Sequence, residues 1–313
     1  MTNPASFTDE DATKILAHNG KSFKFASAFL SHNHAKKCAR LYAFCRRLDD
    51  IADDCETGPD HARQTLKNID RQLLNQAEPD VWVKDFLNLA HDNSIDISVA
   101  RDLLAGVLSD LDQVRLVTEA ELIRYCYAVA GTVGLMMCDV FGVKNPVARP
   151  FAIDLGIAMQ MTNIARDIQE DAGNDRRYLP GQWMSNTSPN EICNPSAKTK
   201  AQLQNAVERL LDLADTYYES ALHGFVYLPS RSRLSILVAS TVYREIGVKL
   251  RKQGCKTWEG RVTVGKGRKL ALACKALWDF KTNPMLSRPT YQHNASLHSD
   301  LIYEHPDSAS GLN

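Results

Sequence analysis

Residues 163–171 read Asn-Ile-Ala-Arg-Asp-Ile-Gln-Glu-Asp. Asp167 and Asp171 are four positions apart, so in a helix they lie one turn apart on one face, and Asn163 and Gln160 extend that face toward the N-terminus. The segment before it is apolar, with Ala152, Leu155, Gly156, Ala158, Met159 and Met161. A polar stripe on an apolar helix must face solvent or a wet, charged cavity, because buried polar groups without partners are costly. Like charges at i, i+4 destabilise a helix unless something offsets them. A hard divalent cation held by both carboxylates would do so; a solvated acidic face with local ion pairs accounts for the spacing as well.

A second acidic element stands far upstream. Asp49 and Asp53 repeat the four-residue spacing, with Asp50 and Asp54 doubling it. It closes a helical pattern over about 33–55 whose apolar side is Ala39, Leu41, Phe44, Leu48 and Ile51. Arg46 and Arg47 precede the acidic cluster, and Arg46 is either an i, i+3 partner for Asp49 or a cation facing a phosphate. Glu56-Thr57-Gly58-Pro59 then ends the helix.

Further helices are expected over 14–30 with a break at Asn19-Gly20, and over 61–75, 81–90, 97–110, 119–140, 149–172, 202–222, 232–250 and 269–280. Residues 181–200 read as a surface loop and 255–266 as a linker. No stretch alternates like a sheet for long. The expected fold is therefore all-α: one helical domain over 14–280, with loosely ordered termini at 1–13 and 281–313. In the segment 125–137, Gly131 and Gly134 leave a shallow groove, which suits an apolar tunnel wall or plain core packing.

Bulk properties exclude several classes. The chain has 313 residues, 44% of them hydrophobic, and Lys plus Arg equals Asp plus Glu at 37 each. Zero net charge offers no case for nucleic-acid binding. Met1–Thr13 lacks the basic start and apolar core of a signal peptide, and no apolar run reaches the roughly 18 residues of a membrane span. The eight cysteines, at 38, 45, 55, 126, 138, 193, 255 and 274, include no CxxC pair. Free thiols in apolar surroundings point to a reducing cytoplasm. Gly20-Lys21-Ser22 lacks the earlier glycine of a phosphate loop, since residue 15 is Ile, but Lys21 and Ser22 remain possible phosphate donors.

Two acidic helix faces with interspersed Arg and Asn, inside an apolar bundle, suit diphosphate departure from an allylic lipid. Metal ions and cationic side chains neutralise the leaving oxygens, and a dry cavity protects the carbocation from water. Tyr125 and Tyr243 can face such a cation or serve as core tyrosines.

Several stretches together resemble the squalene/phytoene synthase family. YAFCRRLDDIADD (42–54) is similar to its first aspartate motif, YCYAVAGTVGLMM (125–137) to its tunnel helix, and GIAMQMTNIARDIQEDAGNDRRYLP (156–180) to its second motif and flap. LPSRSRLSILVASTVYREIG (228–247) resembles its C-terminal core helix, and Lys21-Ser22-Phe23 an N-terminal element. The resemblance implies an isoprenoid-synthase (class I terpenoid synthase) bundle with a central cavity. It implies Asp49, Asp53, Asp167 and Asp171 as magnesium ligands, manganese being the alternative ion, with Asn163 and Gln160 supporting them. It implies Arg46, Arg166 and Arg176 on diphosphate oxygens, assisted by Lys21, Ser22 and Arg261. Tyr125 and Tyr243 match tyrosines near the rearranging intermediate, and Ala130, Val133 and Gly134 match positions along the hydrocarbon cavity. The flap departs from the common form, which has Gly before its arginine where this chain has Asp175; Arg177 occupies the variable position.

The resemblance is to bacterial phytoene synthases in particular. It implies condensation of two geranylgeranyl diphosphates to 15-cis-phytoene through a cyclopropylcarbinyl diphosphate, without NADPH. The runner-up joins two farnesyl diphosphates into squalene, hydroxysqualene or dehydrosqualene. A terpene cyclase or head-to-tail elongase, and a non-enzymatic helical adaptor, are the readings from other classes. Beyond the prenyl diphosphates, the expected partners are a membrane surface, contacted weakly and reversibly without an obvious amphipathic anchor, and downstream carotenoid enzymes that take over the product.

Overall fold

The computed structural model describes residues 6–54, 58–289 and 291–301. Its helices are α1 (Asp9–Asn19), α2 (Lys21–Ser27), α3 (His32–Ala52), α4 (Pro59–Leu73), α5 (Val81–Asn93), α6 (Ile97–Ser109) and α7 (Glu119–Cys126). After a π-helical turn (Tyr127–Gly131) come α8 (Thr132–Val140), α9 (Ala148–Gly173), α10 (Pro189–Cys193), α11 (Ala197–Gly224), α12 (Ser230–Lys252) and α13 (Lys266–Thr282). Among the described residues the sole β feature is an isolated bridge between Arg115 and Arg177. The fold is an all-α, single-domain helical bundle, as the sequence led one to expect.

Local chemistry starts the helices. Thr8 and Asp11 form a reciprocal capping box ahead of α1, and Ser188 and Glu191 do the same for α10. Ser31, Asp96, Thr118 and Ser196 each accept from a first-turn amide of α3, α6, α7 and α11.

Helix α9 packs against α7, the π turn, α8, α10, α11 and α12. Its Ile157, Ala158, Met161, Ile164, Ala165 and Ile168 form one core with Leu203, Val207, Leu210 and Ala214 of α11. A second core gathers Phe44 and Leu48 of α3, Leu66 of α4, Phe86 of α5, Leu103 of α6 and Leu135 of α8, with Phe44 and Phe86 stacked at 3.7 Å. Each such side chain contributes about 1.5–3 kcal/mol by leaving water. Two glycines set the close crossing of α9 with its neighbour. A Cβ on Gly134 would lie 2.2 Å from the Ala152 carbonyl oxygen, and one on Gly156 equally close to that of Ala130.

Four stretches differ from the sequence expectations. The helix expected over 119–140 changes pitch in the π turn, just before Thr132 Oγ1 donates to the Ala128 carbonyl at 2.7 Å. The loop expected over 181–200 holds α10 and buries Met184 and Ile192, while the 255–266 linker buries Cys255 and Val262. Order extends beyond 14 and 280 on both sides: α1 begins at Asp9, and Pro284–Leu286 and Ala295–Leu301 form 3-10 turns. Of the loose termini expected, residues 1–5, Thr290 and 302–313 lie outside the described residues, as do Cys55, Glu56 and Thr57.

Candidate active site

Asp49 lies in the last turn of α3, and Asp53 caps that helix, its amide donating to the Asp49 carbonyl at 2.9 Å. Burial drives the Asp49 carboxyl up to about 7, and Asp53, Asp110 and Asp50 push the same way against the opposing Arg46. On α9, Asp171 is likewise raised to about 7 by burial, then by Asp167, Glu170 and Asp110, with Arg176 opposing. Asp110, at the C-terminus of α6, adds repulsion to both Asp49 and Asp171, and burial raises its own carboxyl to about 6. Asp110 accepts from Tyr178 Oη on Oδ1 at 2.8 Å and from Tyr125 Oη on Oδ2 at 3.0 Å. The two tyrosine rings lie 4.7 Å apart, and burial raises both phenols.

The flap closes this assembly. Arg176 Nη1 donates to Asp53 Oδ1 at 2.9 Å, joining the segment after α9 to the end of α3. The next residue behaves differently. Arg177, which occupies the variable position of the flap, is buried and acts as a strut, its Nη1 donating to the Leu179 carbonyl at 3.0 Å. Its amide donates to the Val114 carbonyl and its carbonyl accepts from the Leu116 amide. Asp175 adopts φ 54°, the left-handed conformation that a glycine favours, and its carboxylate pairs with Arg115. The backbone angle is therefore kept without the glycine.

Asp167 lies on a different branch of the network. Its Oδ1 accepts from Arg166 Nε at 2.9 Å and from Arg261 Nε at 2.8 Å, while Arg261 also reaches Glu170 at 3.1 Å. Tyr243 stacks on Phe23 at 4.9 Å, and the Arg166 charge acts on its phenol, so α2 and α12 meet beside the second motif. Burial raises the Tyr243 phenol, with Arg166 opposing. Lys21 is exposed and Ser22 half-buried at the start of α2.

Arg46 pairs with Asp50 at 2.6 Å rather than with Asp49. Asn163 Nδ2 donates to Gln160 Oε1 at 3.2 Å, but Asn163 Oδ1 is buried with no protein donor, as is Arg46 Nε with no acceptor. The orphaned Asn163 amide oxygen, one turn from Asp167 on the same face of α9, fits a hard cation, which takes oxygen ligands.

The small residues expected along the hydrocarbon cavity behave unequally. Gly134 and the Ala130 backbone are taken up by the crossing with α9, and Val133 packs into the α3–α6 core. The groove at Gly134 is thus filled by backbone. A cavity of about 490 Å³ opens instead between α6, α7 and the π turn, lined by Gly106, Leu116, Tyr125, Ala128 and Leu301 among others.

Asp110 and Tyr178 had not been singled out in the sequence. Asp110 has no acidic partner four residues away; its only signal is a carboxylate ending an apolar helix. Asp154 was also passed over, a lone acid within the apolar start of α9. With His293 and His298 it forms a cluster able to coordinate a divalent metal, the three ligand atoms lying within 4.8 Å of one another.

The squalene/phytoene synthase profile matches residues 16–268. This chain belongs to the squalene/phytoene synthase family. Among curated relatives, the phytoene synthase of Pseudescherichia vulneris is 37% identical, the match covering 85% of this chain and 90% of that one. The 15-cis-phytoene synthase of Pantoea ananas is 34% identical over 92% and 96%. A solved dehydrosqualene synthase in complex with ligand has a TM-score of 0.78 at 30% identity, covering 88% and 96%. The squalene synthase HpnC of Alicyclobacillus acidocaldarius shares the fold, with a TM-score of 0.69 at 18% identity over 79% and 94%. Family membership supports head-to-head prenyl condensation as the general chemistry, within isoprenoid and carotenoid biosynthesis. Among the described residues no helix is long and apolar enough to cross a membrane.

Proposed function

We propose that this protein condenses two geranylgeranyl diphosphates head to head into 15-cis-phytoene, releasing two diphosphates. The observation that carries the reading is the Arg176–Asp53 ion pair, which ties the segment after the second aspartate motif to the first. The prenyl length rests on the kinship with the two phytoene synthases.

Asp49, Asp53, Asp167, Asp171 and Asn163 would hold magnesium, with Asp110 behind them; manganese is the alternative ion. When bound, the metal neutralises the oxygens of the departing diphosphate. Arg176, Arg166, Arg46 and Arg261 add fixed positive charge, with Lys21 and Ser22 as further donors. In the first half-reaction the C–O bond of one substrate breaks. The double bond of the second attacks the allylic cation, and loss of a proton gives the cyclopropylcarbinyl diphosphate. In the second, that diphosphate leaves, the skeleton rearranges, and loss of a second proton gives phytoene. No reductant enters, so NADPH is not required. Tyr243, stacked on Phe23 and under the influence of the Arg166 charge, would stabilise the migrating charge with its ring and hydroxyl. Tyr125 orients Asp110.

The 30% identity to a dehydrosqualene synthase supports a second reading, with two farnesyl diphosphates as substrates. Incubation with each prenyl diphosphate and magnesium, with and without NADPH, separates them by product mass. Phytoene from geranylgeranyl diphosphate without NADPH is expected; a C30 hydrocarbon alone would overturn the chain length, and a cyclic or still diphosphorylated product the reaction class.

We further place the protein in the cytoplasm, in reversible contact with the membrane that holds its greasy substrates and receives its product. Helix α13 supports this: Leu270, Leu277 and Trp278 are 61%, 37% and 69% exposed on one face, with Lys266, Lys275 and Lys281 beside them.

A further inference from the structure

The carboxylate of Asp154 has no access to solvent at all, although it stands on the apolar first half of α9. A buried charge is tolerated only when paired or bound to a metal. Three donors converge on it. Ser220 Oγ of α11 donates to Oδ2 at 2.6 Å, His293 Nε2 lies 2.9 Å from Oδ2, and His298 Nε2 lies 2.7 Å from Oδ1. Both imidazoles present the same nitrogen, and their rings are 4.5 Å apart. The cluster is remote from the aspartate motifs: Asp154 precedes Asp167 by thirteen residues, about 20 Å along the helix axis.

We propose that Asp154, His293 and His298 form a second, structural metal site for a transition ion of the zinc class, which fastens the segment 291–301 onto α9 and α11. Two imidazoles and one carboxylate select zinc, cobalt or nickel over magnesium, which takes oxygen ligands. Zinc held at about 2.0–2.1 Å in a tetrahedron separates its ligand atoms by roughly 3.3 Å. The three ligand atoms lie within 4.8 Å of one another here, with contacts of 2.7 and 2.9 Å, a range that brackets that spacing. Ser220 orients the carboxylate from behind, as outer hydrogen bonds do at metal centres. The histidine side chains are 10% and 19% exposed, which leaves an entry path and a fourth position for water.

The segment so fastened is already laid in place. Tyr217 Oη donates to the Leu297 carbonyl at 2.8 Å, Tyr291 stacks on His223 at 4.0 Å, and Leu297 packs against the α9–α11 core. It ends at Leu301, on the wall of the 490 Å³ cavity that Tyr125 also lines. Metal at Asp154 would thus order one wall of that cavity without touching the aspartate motifs.

The test uses the full chain, stripped with chelator and dialysed against zinc or cobalt in excess magnesium, which occupies the oxygen sites. Wild type is expected to retain a stoichiometric zinc ion, to give cobalt bands of tetrahedral intensity, and to resist proteolysis within 291–301 only when zinc is present. His293→Ala with His298→Ala should weaken zinc binding by roughly 100-fold and abolish the zinc-dependent protection. His298→Gln keeps a donor for the Asp154 hydrogen bond but is a poor zinc ligand. It should retain the fold by circular dichroism while losing the cobalt bands. Zinc retained equally by the double variant, or no zinc retained by wild type, would overturn the proposal and leave a hydrogen-bonded latch. Because none of these readouts uses prenyl substrates, the result stands apart from the reading of the catalytic site.

Discussion

Arg176 and Asp53 lie 123 positions apart in sequence and 2.9 Å apart in space. The pair ties the segment after the second aspartate motif to the end of the first. The Asp53 side chain is 53% exposed, so the ion pair itself is worth at most about 1 kcal/mol to stability. Its weight in the proposed reaction is larger, because a fixed cation opposite a leaving diphosphate stabilises charge only as it develops.

Arg176→Ala is therefore expected to lower kcat by about 100-fold while shifting the melting temperature little. Steady-state kinetics beside a thermal melt checks this. A large melting shift with unchanged kcat would make Arg176 a structural tie.

Asp110 links the two motifs and is held by two tyrosine hydroxyls. Asp110→Asn preserves shape and one of the two acceptor oxygens but removes the charge, and the other tyrosine hydroxyl must turn to accept from the new amide. The magnesium concentration for half-maximal activity should rise roughly 10–100-fold, the range seen when a group supporting a metal is lost. Magnesium titrations of both proteins decide it, and an unchanged midpoint would remove Asp110 from the metal's surroundings.

The raised carboxyls carry a pH signature. Burial lifts Asp49 and Asp171 to about 7 and Asp110 to about 6, above their ordinary range. A carboxyl raised on folding binds more protons in the native state than in the unfolded chain. These groups therefore cost stability progressively as pH rises from about 4 to about 7. Metal-free protein should lose this contribution across that window, and added magnesium should restore more stability at pH 7.5 than at pH 5.5, where protons compete with it. Chemical denaturation at both pH values, with and without magnesium, measures the difference.

Asp175 takes a left-handed backbone conformation, which costs a residue with a Cβ roughly 1–2 kcal/mol. It also pairs with Arg115. Asp175→Gly relieves the first and loses the second, so stability should change by less than about 1 kcal/mol. Asp175→Val keeps the strain, adds β-branching and loses the pair, and should destabilise by about 1–3 kcal/mol. Urea denaturation of the two variants separates these contributions; equal stability would mean that the left-handed conformation is not needed here.

Trp278 is the most exposed large apolar side chain on α13. Trp278→Ser should reduce partition onto anionic vesicles several-fold in flotation, without altering turnover of substrate presented in detergent. Partition equal to that of the unaltered chain would exclude α13 as the contact surface.

Much of this architecture could be read before any coordinates. The helices at 33–55 and 149–172 follow from apolar spacing, and they appear as α3 and α9 with ends within a few residues. The two carboxylate stripes followed from the same periodicity, because i, i+4 geometry is local. The misreadings arose where neighbours override local pattern. Residues 181–200 are rich in turn formers, yet Met184 and Ile192 enter the core. Arg177 resembles any surface arginine in a basic flap, but the Leu179 carbonyl and the strand-like bridge to Arg115 draw it inside. Gly134 reads as an opening and is closed by the backbone of α9.

The sequence by itself determined an all-helical chain with two acidic stripes, since both rest on contacts within a turn or two of one helix. Only the tertiary structure decided which acids share one environment. It set Asp167 between Arg166 and Arg261, brought Asp171 and Asp49 within reach of Asp110, and gathered His293 and His298 onto Asp154. Proximity across more than a hundred residues depends on how helices cross, and that follows from the summed packing of faces such as Gly134 on Ala152, which no single motif encodes.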